Sequence, residues 1–124
     1  MSAHILVVDD DPIQRRLLKN AVERQGYVAH LAENGKMALD FLSRTSGDVN
    51  VIVLDLMMPE MDGLTATREI RKIDRWKTLP IIMLTAKAMA EDQNRCIEAG
   101  ANDYLSKPLD VDKLLSLTRV WMPR

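Results

Sequence analysis

Val49-Asn50-Val51-Ile52-Val53-Leu54-Asp55 is an almost unbroken apolar run, rich in β-branched residues, that ends on a single carboxylate. A strand with one wet face alternates apolar and polar residues, whereas a strand covered on both faces reads as a continuous apolar run. Residues 49–54 are therefore expected at the centre of a parallel sheet flanked by helices. Ile5 to Val8 and Pro80 to Leu84 read the same way, Tyr104-Leu105 is a shorter version, and Tyr27 to Leu31 is a weaker fifth run interrupted by His30. The segments between them have helical spacing. Asp11-Pro12 supplies an acidic cap and a proline at the first helical position, Ile13, Leu17, Leu18, Ala21 and Val22 are expected on one face, and Gly26 ends the helix. Gly35 to Arg44, Leu64 to Ile73, Ala90 to Ala99 and Val111 to Val120 follow, the last with Asp110 as its cap. Five strands alternating with five helices predict right-handed βαβ crossovers in an α/β, three-layer sandwich. The strand order 2-1-3-4-5 is taken over from known doubly wound sheets of this size.

In an open α/β sheet the ligand site lies beyond the carboxyl ends of the strands. Every strong run here ends on polar chemistry: Asp9-Asp10-Asp11 after the first, Asp55 after the third, Thr85 after the fourth, Ser106-Lys107-Pro108 after the fifth. Several carboxylates at one rim repel one another unless a cation shares the site. Mg²⁺ suits hard oxygen ligands and coordinates phosphate oxygens as well, and Lys107 adds a second, mobile positive charge. A carboxylate is itself a nucleophile for phosphoryl groups, and Asp55 is the best placed. Asp11 is assigned to capping the helix that begins at Pro12.

Leu6-Val7-Val8-Asp9-Asp10, Val53-Leu54-Asp55-Leu56-Met57-Met58-Pro59-Glu60-Met61-Asp62-Gly63, Leu84-Thr85-Ala86 and Ser106-Lys107-Pro108 resemble the signature blocks of two-component response-regulator receiver domains, in the same order and across the whole chain. The resemblance implies a flavodoxin-like (βα)5 fold of the chemotaxis-regulator type and a Mg²⁺- or Mn²⁺-dependent phosphorelay function. It makes Asp55 the phosphoacceptor and gives Asp9, Asp10, Asp55 and the Met57 main-chain carbonyl to the metal. Thr85 and Lys107 then contact the phosphoryl group, Thr85 and Tyr104 form the switch, and Pro108 follows a cis peptide bond. Met57 and Lys87, beside the site, are expected to set the phosphoryl lifetime. The donor would be a histidine kinase or histidine phosphotransfer protein docking on Ile13, Gln14 and Leu17. The responding surface would comprise the fourth helix, fifth strand and fifth helix, with Met89, Arg95, Tyr104, Lys113 and Leu117, and a dimer could form through it. Thr85 to Met89 and Leu114 to Trp121 resemble receivers at the tail of hybrid kinases.

Composition narrows the alternatives. The 124 residues are expected to form one receiver domain over residues 1–124 with no output domain, and 47% hydrophobic with 28% charged residues is ordinary for a globular protein. No apolar run approaches a membrane span, and two aspartates cut the first run short of a signal-peptide core, so a cytoplasmic location is expected. One cysteine, Cys96, makes no internal disulfide and reads as a small, half-buried apolar residue; His4 and His30 read as structural. A net charge of −1 supplies no global reason for nucleic-acid binding, and Arg68, Arg71, Lys72, Arg75 and Lys77 read as a solvated helix end. A phosphate-ester hydrolase with an aspartate nucleophile would carry a second aspartate at position 57, where methionine stands. A flavin carrier would not place Asp9, Asp10 and Asp11 in its phosphate loop. The remaining rival is a receiver-shaped interaction module that works without phosphorylation.

Overall fold

The computed structural model describes residues 3–58, 61–86 and 90–122, with no side-chain detail for residues 90–92. Among them the elements are β1 (His4–Val8), α1 (Pro12–Arg24), β2 (Val28–Ala32), α2 (Gly35–Arg44), β3 (Val51–Asp55), α3 (Gly63–Arg71), a 3-10 turn at Asp74–Trp76, β4 (Ile81–Thr85), α4 (Ala90–Ala99), β5 (Asp103–Ser106) and α5 (Val111–Trp121). The five strands are all parallel, in the order β2-β1-β3-β4-β5. Within the described residues no helix is long and apolar enough to cross a membrane.

The continuous apolar runs have the cause expected of them, two cores on opposite faces of one sheet. Leu6, Val8, Ile52, Leu54, Ile81 and Met83 face α2, α3 and α4, where Leu42, Ile70 and Cys96 are buried. Their neighbours in sequence, Ile5, Val7, Val51, Val53, Ile82 and Leu84, face Leu18 and Val22 of α1 and Leu114 of α5. Strand residues alternate between faces, so each strand must be apolar at every position to serve both cores. The register pairs Val8 with Leu54, Asp55 with Leu84 and Thr85 with Ser106, which brings the strands to a common carboxyl edge.

Three readings of the sequence need correction. Ile13 and Leu17 are 81% and 50% exposed, although Leu18, Ala21 and Val22 are buried. At about 100° per residue the five span too wide an arc for one face, and the inner edge wins. Cys96 is fully buried. The basic cluster is not simply solvated. Arg71 donates to the Gly100 carbonyl from Nε (3.0 Å) and Nη2 (2.8 Å), to the Trp76 carbonyl (2.9 Å) and to Asn102 Oδ1 (2.9 Å). Arg75 lies 4.5 Å over the Trp76 ring and donates to the carbonyls of Thr45 and Gly47. Trp76, in the 3-10 turn beside these arginines, is buried and donates from Nε1 to the Leu42 carbonyl at 3.0 Å. His4 and His30 are joined through Nδ1 and Nε2 at 2.8 Å, and His30 packs on Phe41.

Gly63 matters most for the site. Its N–H donates to the Leu56 carbonyl at 2.8 Å, and a Cβ there would lie 2.6 Å from the Asp55 carbonyl oxygen and 2.8 Å from Leu56 Cα. Only glycine lets α3 start against the end of β3. Gly63→Ala is therefore expected to lower the unfolding free energy by about 2–3 kcal/mol, the scale of overpacking against atoms that cannot yield. Urea unfolding measures it, and an unchanged midpoint with unchanged slope would show that β3 and α3 can separate at no cost.

Candidate active site

At the carboxyl edge the expected residues converge. Asp9, Asp10 and Asp55 each offer a carboxylate oxygen, and these oxygens lie within 4.8 Å of one another. Asp55 ends β3 and is 3% exposed; Asp9 is fully buried, and Asp10 is exposed. Lys107 Nζ donates to Asp55 Oδ1 at 3.1 Å, and the Met57 N–H approaches the same oxygen at 3.3 Å. The Lys107 main chain is fastened to the end of β4 by its N–H, 2.7 Å from the Thr85 carbonyl, and the Lys107-Pro108 peptide bond is cis. Thr85 is buried at the last position of β4, one residue beyond Leu84, which pairs with Asp55.

Every polar atom of Asp9 is engaged. Its N–H donates to the Ala32 carbonyl (3.1 Å), its Oδ1 accepts from the Asp11 N–H (2.9 Å), its Oδ2 accepts from Gln14 Nε2, and its carbonyl accepts from Arg15 Nη1 (2.7 Å). Asp11 caps α1, its side chain accepting from the Ile13 N–H at 2.9 Å, as expected of it. Gln14, matched from the sequence to the docking helix, turns its amide onto Asp9. The signal for this was present but ambiguous. Asp11 and Gln14 stand at N-cap and N3, where a glutamine ordinarily reaches back to the cap.

Away from the carboxylates, the Tyr104 hydroxyl donates to Gln93 Oε1 of α4 at 2.9 Å, a partner the sequence did not single out. Tyr104, Gln93, Lys113 and Leu117 line one groove of about 310 Å³ between α4, β5 and α5. Arg95 falls elsewhere. It borders a smaller cavity of about 100 Å³ with Leu56, Met57, Asp62 and Leu64, and the Met57 side chain is 66% exposed at its mouth. Lys87 and Met89, like Pro59 and Glu60 of the longest motif, lie outside the described residues.

The electrostatics follow from burial. Burial pushes the Asp55 carboxyl above the ordinary carboxylate range and the nearby Asp9 charge pushes the same way, while the hydrogen bond and charge of Lys107 and the Met57 N–H pull it back only in part. Clustered hard oxygens, part buried and part open to solvent, are the donor set that Mg²⁺ accepts. An acid whose folded pKa is raised contributes stability below its unfolded pKa and loses it as pH rises through the folded value. At neutral pH the ionised Asp55 is therefore a cost that an amide avoids. Asp55→Asn in Mg²⁺-free buffer is expected to melt above wild type at neutral pH, the gap closing as the pH is lowered; equal midpoints throughout would mean that Lys107 fully compensates the buried charge.

The family model "Response regulator receiver domain" matches residues 5–119. Among curated proteins, the sensor histidine kinase RcsC of Salmonella typhi is 41% identical over 120 residues, covering 97% of this chain and 12% of that protein. The response regulator MprA of Mycobacterium bovis is 40% identical over 124 residues, covering all of this chain and 52% of that protein. Among solved structures, the receiver domain of a sensor histidine kinase from Pseudomonas aeruginosa, crystallised with a magnesium ion in its active-site cleft, superposes with a TM-score of 0.88 at 34% identity, 98% of each chain being covered. The chain thus spans about an eighth of a kinase relative and about half of a regulator relative, and it matches both kinds at similar identity. With the five-stranded 2-1-3-4-5 sheet and the acidic edge, these matches show that the chain belongs to the response-regulator receiver domain family of two-component signalling.

Proposed function

We propose that this receiver domain accepts a phosphoryl group on Asp55 from the phosphohistidine of a histidine kinase or histidine phosphotransfer protein, in a reaction that requires Mg²⁺ or Mn²⁺. One observation carries the reading: a buried carboxylate at the end of the central strand, held 3.1 Å from Lys107 and within 4.8 Å of two further carboxylates. Asp9, Asp10, Asp55 and the Met57 main-chain carbonyl would hold the ion. When bound, it offsets the charge of the carboxylates and of the phosphoryl oxygens.

The chain's own residues perform the rest. An Asp55 oxygen attacks phosphorus in line as the phosphorus–nitrogen bond of the donor breaks, and the departing imidazole takes a proton from solvent. Lys107 exchanges Asp55 Oδ1 for a phosphoryl oxygen, which its flexible four-carbon stem permits. Thr85, at the adjacent strand end, donates its hydroxyl to another phosphoryl oxygen. The inward pull on Thr85 and β4 favours release of Tyr104 from Gln93 and biases the groove between α4, β5 and α5 by about 1–3 kcal/mol, the usual scale of coupling between sites. Water then attacks phosphorus, the bond to Asp55 breaks, and phosphate leaves the carboxylate as it began. Exposed Ile13 and Leu17 on α1 give the donor protein an apolar docking face beside the site. The α4-β5-α5 groove receives the downstream partner or a second copy, and the cycle runs in the cytoplasm. The region matching the receiver family, residues 5–119, serves as the receiver of a stand-alone regulator, of a longer regulator or of a hybrid kinase.

Incubation with Mg²⁺ and a small-molecule phosphodonor is expected to add one phosphoryl group to wild type and none to Asp55→Asn, read by intact mass. No gain by folded wild type would replace this reading with a phosphorylation-independent interaction module. Met57 and Lys87 are proposed to limit water's access to the acyl phosphate. Met57→Ser should accelerate dephosphorylation about fivefold, equivalent to about 1 kcal/mol of barrier, and an unchanged rate would remove Met57 from that role.

A further inference from the structure

Asp9 is held differently from the other carboxylates of the pocket. Its carboxylate is clamped at both oxygens, by the Asp11 N–H at 2.9 Å and by the Gln14 side-chain amide. The source of the second contact is unusual for its position. At N3 of a helix, glutamine ordinarily folds back onto the N-cap main-chain N–H. In α1 that N–H belongs to Asp11 and is already given to Asp9, so the Gln14 amide is not spent on the helix and goes to the same carboxylate. Arg15, the next residue, has the charge to neutralise Asp9 but gives its guanidinium to the Asp9 main-chain carbonyl, at 2.7 Å. Among the described residues the carboxylate therefore receives two neutral donors, neither of which brings it a positive charge.

We propose that Gln14 is a positioning residue for the cation of this pocket: its neutral amide fixes the orientation of the Asp9 carboxylate without discharging it. The proposal rests on the Mg²⁺ reading above and adds to it a residue outside the four signature blocks. A carboxylate has about four lone-pair sites. The clamp occupies two and leaves the others for the ion or its water shell. Without the amide, Asp9 would retain one donor while facing Asp10 and Asp55, and repulsion would turn it away, so that the ion must re-order it on binding. Gln14 follows the exposed Ile13 along α1 and borders the face that Ile13 and Leu17 expose. Contact with a partner there would reach the pocket through one side chain.

The test is a Mg²⁺ titration followed by amide chemical shifts of Asp10 and Leu56, for wild type, Gln14→Met, Asp9→Asn and the double variant. Methionine keeps the length of glutamine and removes the amide on a half-exposed helix surface. Gln14→Met is expected to weaken Mg²⁺ binding about tenfold, the lower end for loss of a group that orients a ligand, and to weaken it no further in the Asp9→Asn background. Unchanged or tighter binding by Gln14→Met overturns the proposal. So does an equal loss in both backgrounds, which would reveal a general disturbance of α1. If folded wild type binds no Mg²⁺, the Mg²⁺ reading falls and this proposal with it; binding by wild type together with an unaffected Gln14→Met overturns this proposal alone.

Discussion

A carboxylate buried at the end of the central strand is the constraint around which the rest of the molecule is arranged. Asp55 is 3% exposed, and its charge is disfavoured there by burial before any neighbour is counted. Lys107 is the cation brought to it, by a loop whose main chain is bonded to the end of β4. Gly63 is needed because the turn after Asp55 brings α3 so close to the strand that a methyl group would meet main-chain atoms. Asp9 and Asp10 stand beside Asp55 because β1 and β3 are paired in register up to Val8 and Leu54. Burial and the Asp9 charge disfavour the ionised Asp55, and Lys107 and the Met57 N–H offset them only in part.

The opposite demand, satisfying main-chain carbonyls where elements end, uses the cations far from that edge. Arg71 gathers the carbonyls of Gly100 and Trp76 and the side chain of Asn102, which itself accepts from the Ile81 N–H at 2.9 Å. It thereby ties the end of α4 to the start of β4. Burial lowers the Arg71 pKa, though a guanidinium so far from titrating stays charged. Arg75 does the same for the loop after α2 while covering Trp76. Side chains that look like a basic surface when written as a string are thus spent on internal bonds. α4 is held at its far end by Arg71 and near its start by Gln93 on Tyr104.

Much of the fold was legible because burial on both faces forces a visible pattern: strands written as continuous apolar runs, helices as capped amphipathic stretches ending near glycine. Boundaries moved by at most two residues, and the 3-10 turn at Asp74–Trp76 went unread because three residues carry no period. The apolar stripe of α1 was read too wide, since spacing alone does not say which edge of an arc meets the sheet. Cys96 looked half-buried because its depth depends on packing between α3 and α4 rather than on its own helix.

By itself, the sequence determined which residues meet at the site. Parallel strands place their carboxyl ends together, so Asp9, Asp10, Asp55, Thr85 and Lys107 could be gathered from their positions after apolar runs, and the family blocks supplied an expected role for each. What only the tertiary structure decided is how the polar side chains divide their hydrogen bonds: Gln14 on Asp9 rather than on its own cap, Arg71 on carbonyls rather than in water, Tyr104 on Gln93. A backbone pattern is local and periodic, whereas a side-chain donor takes whichever acceptor the fold brings within 3 Å. That choice is made by contacts far apart along the chain, 31 residues between Arg71 and Asn102 and 52 between Lys107 and Asp55.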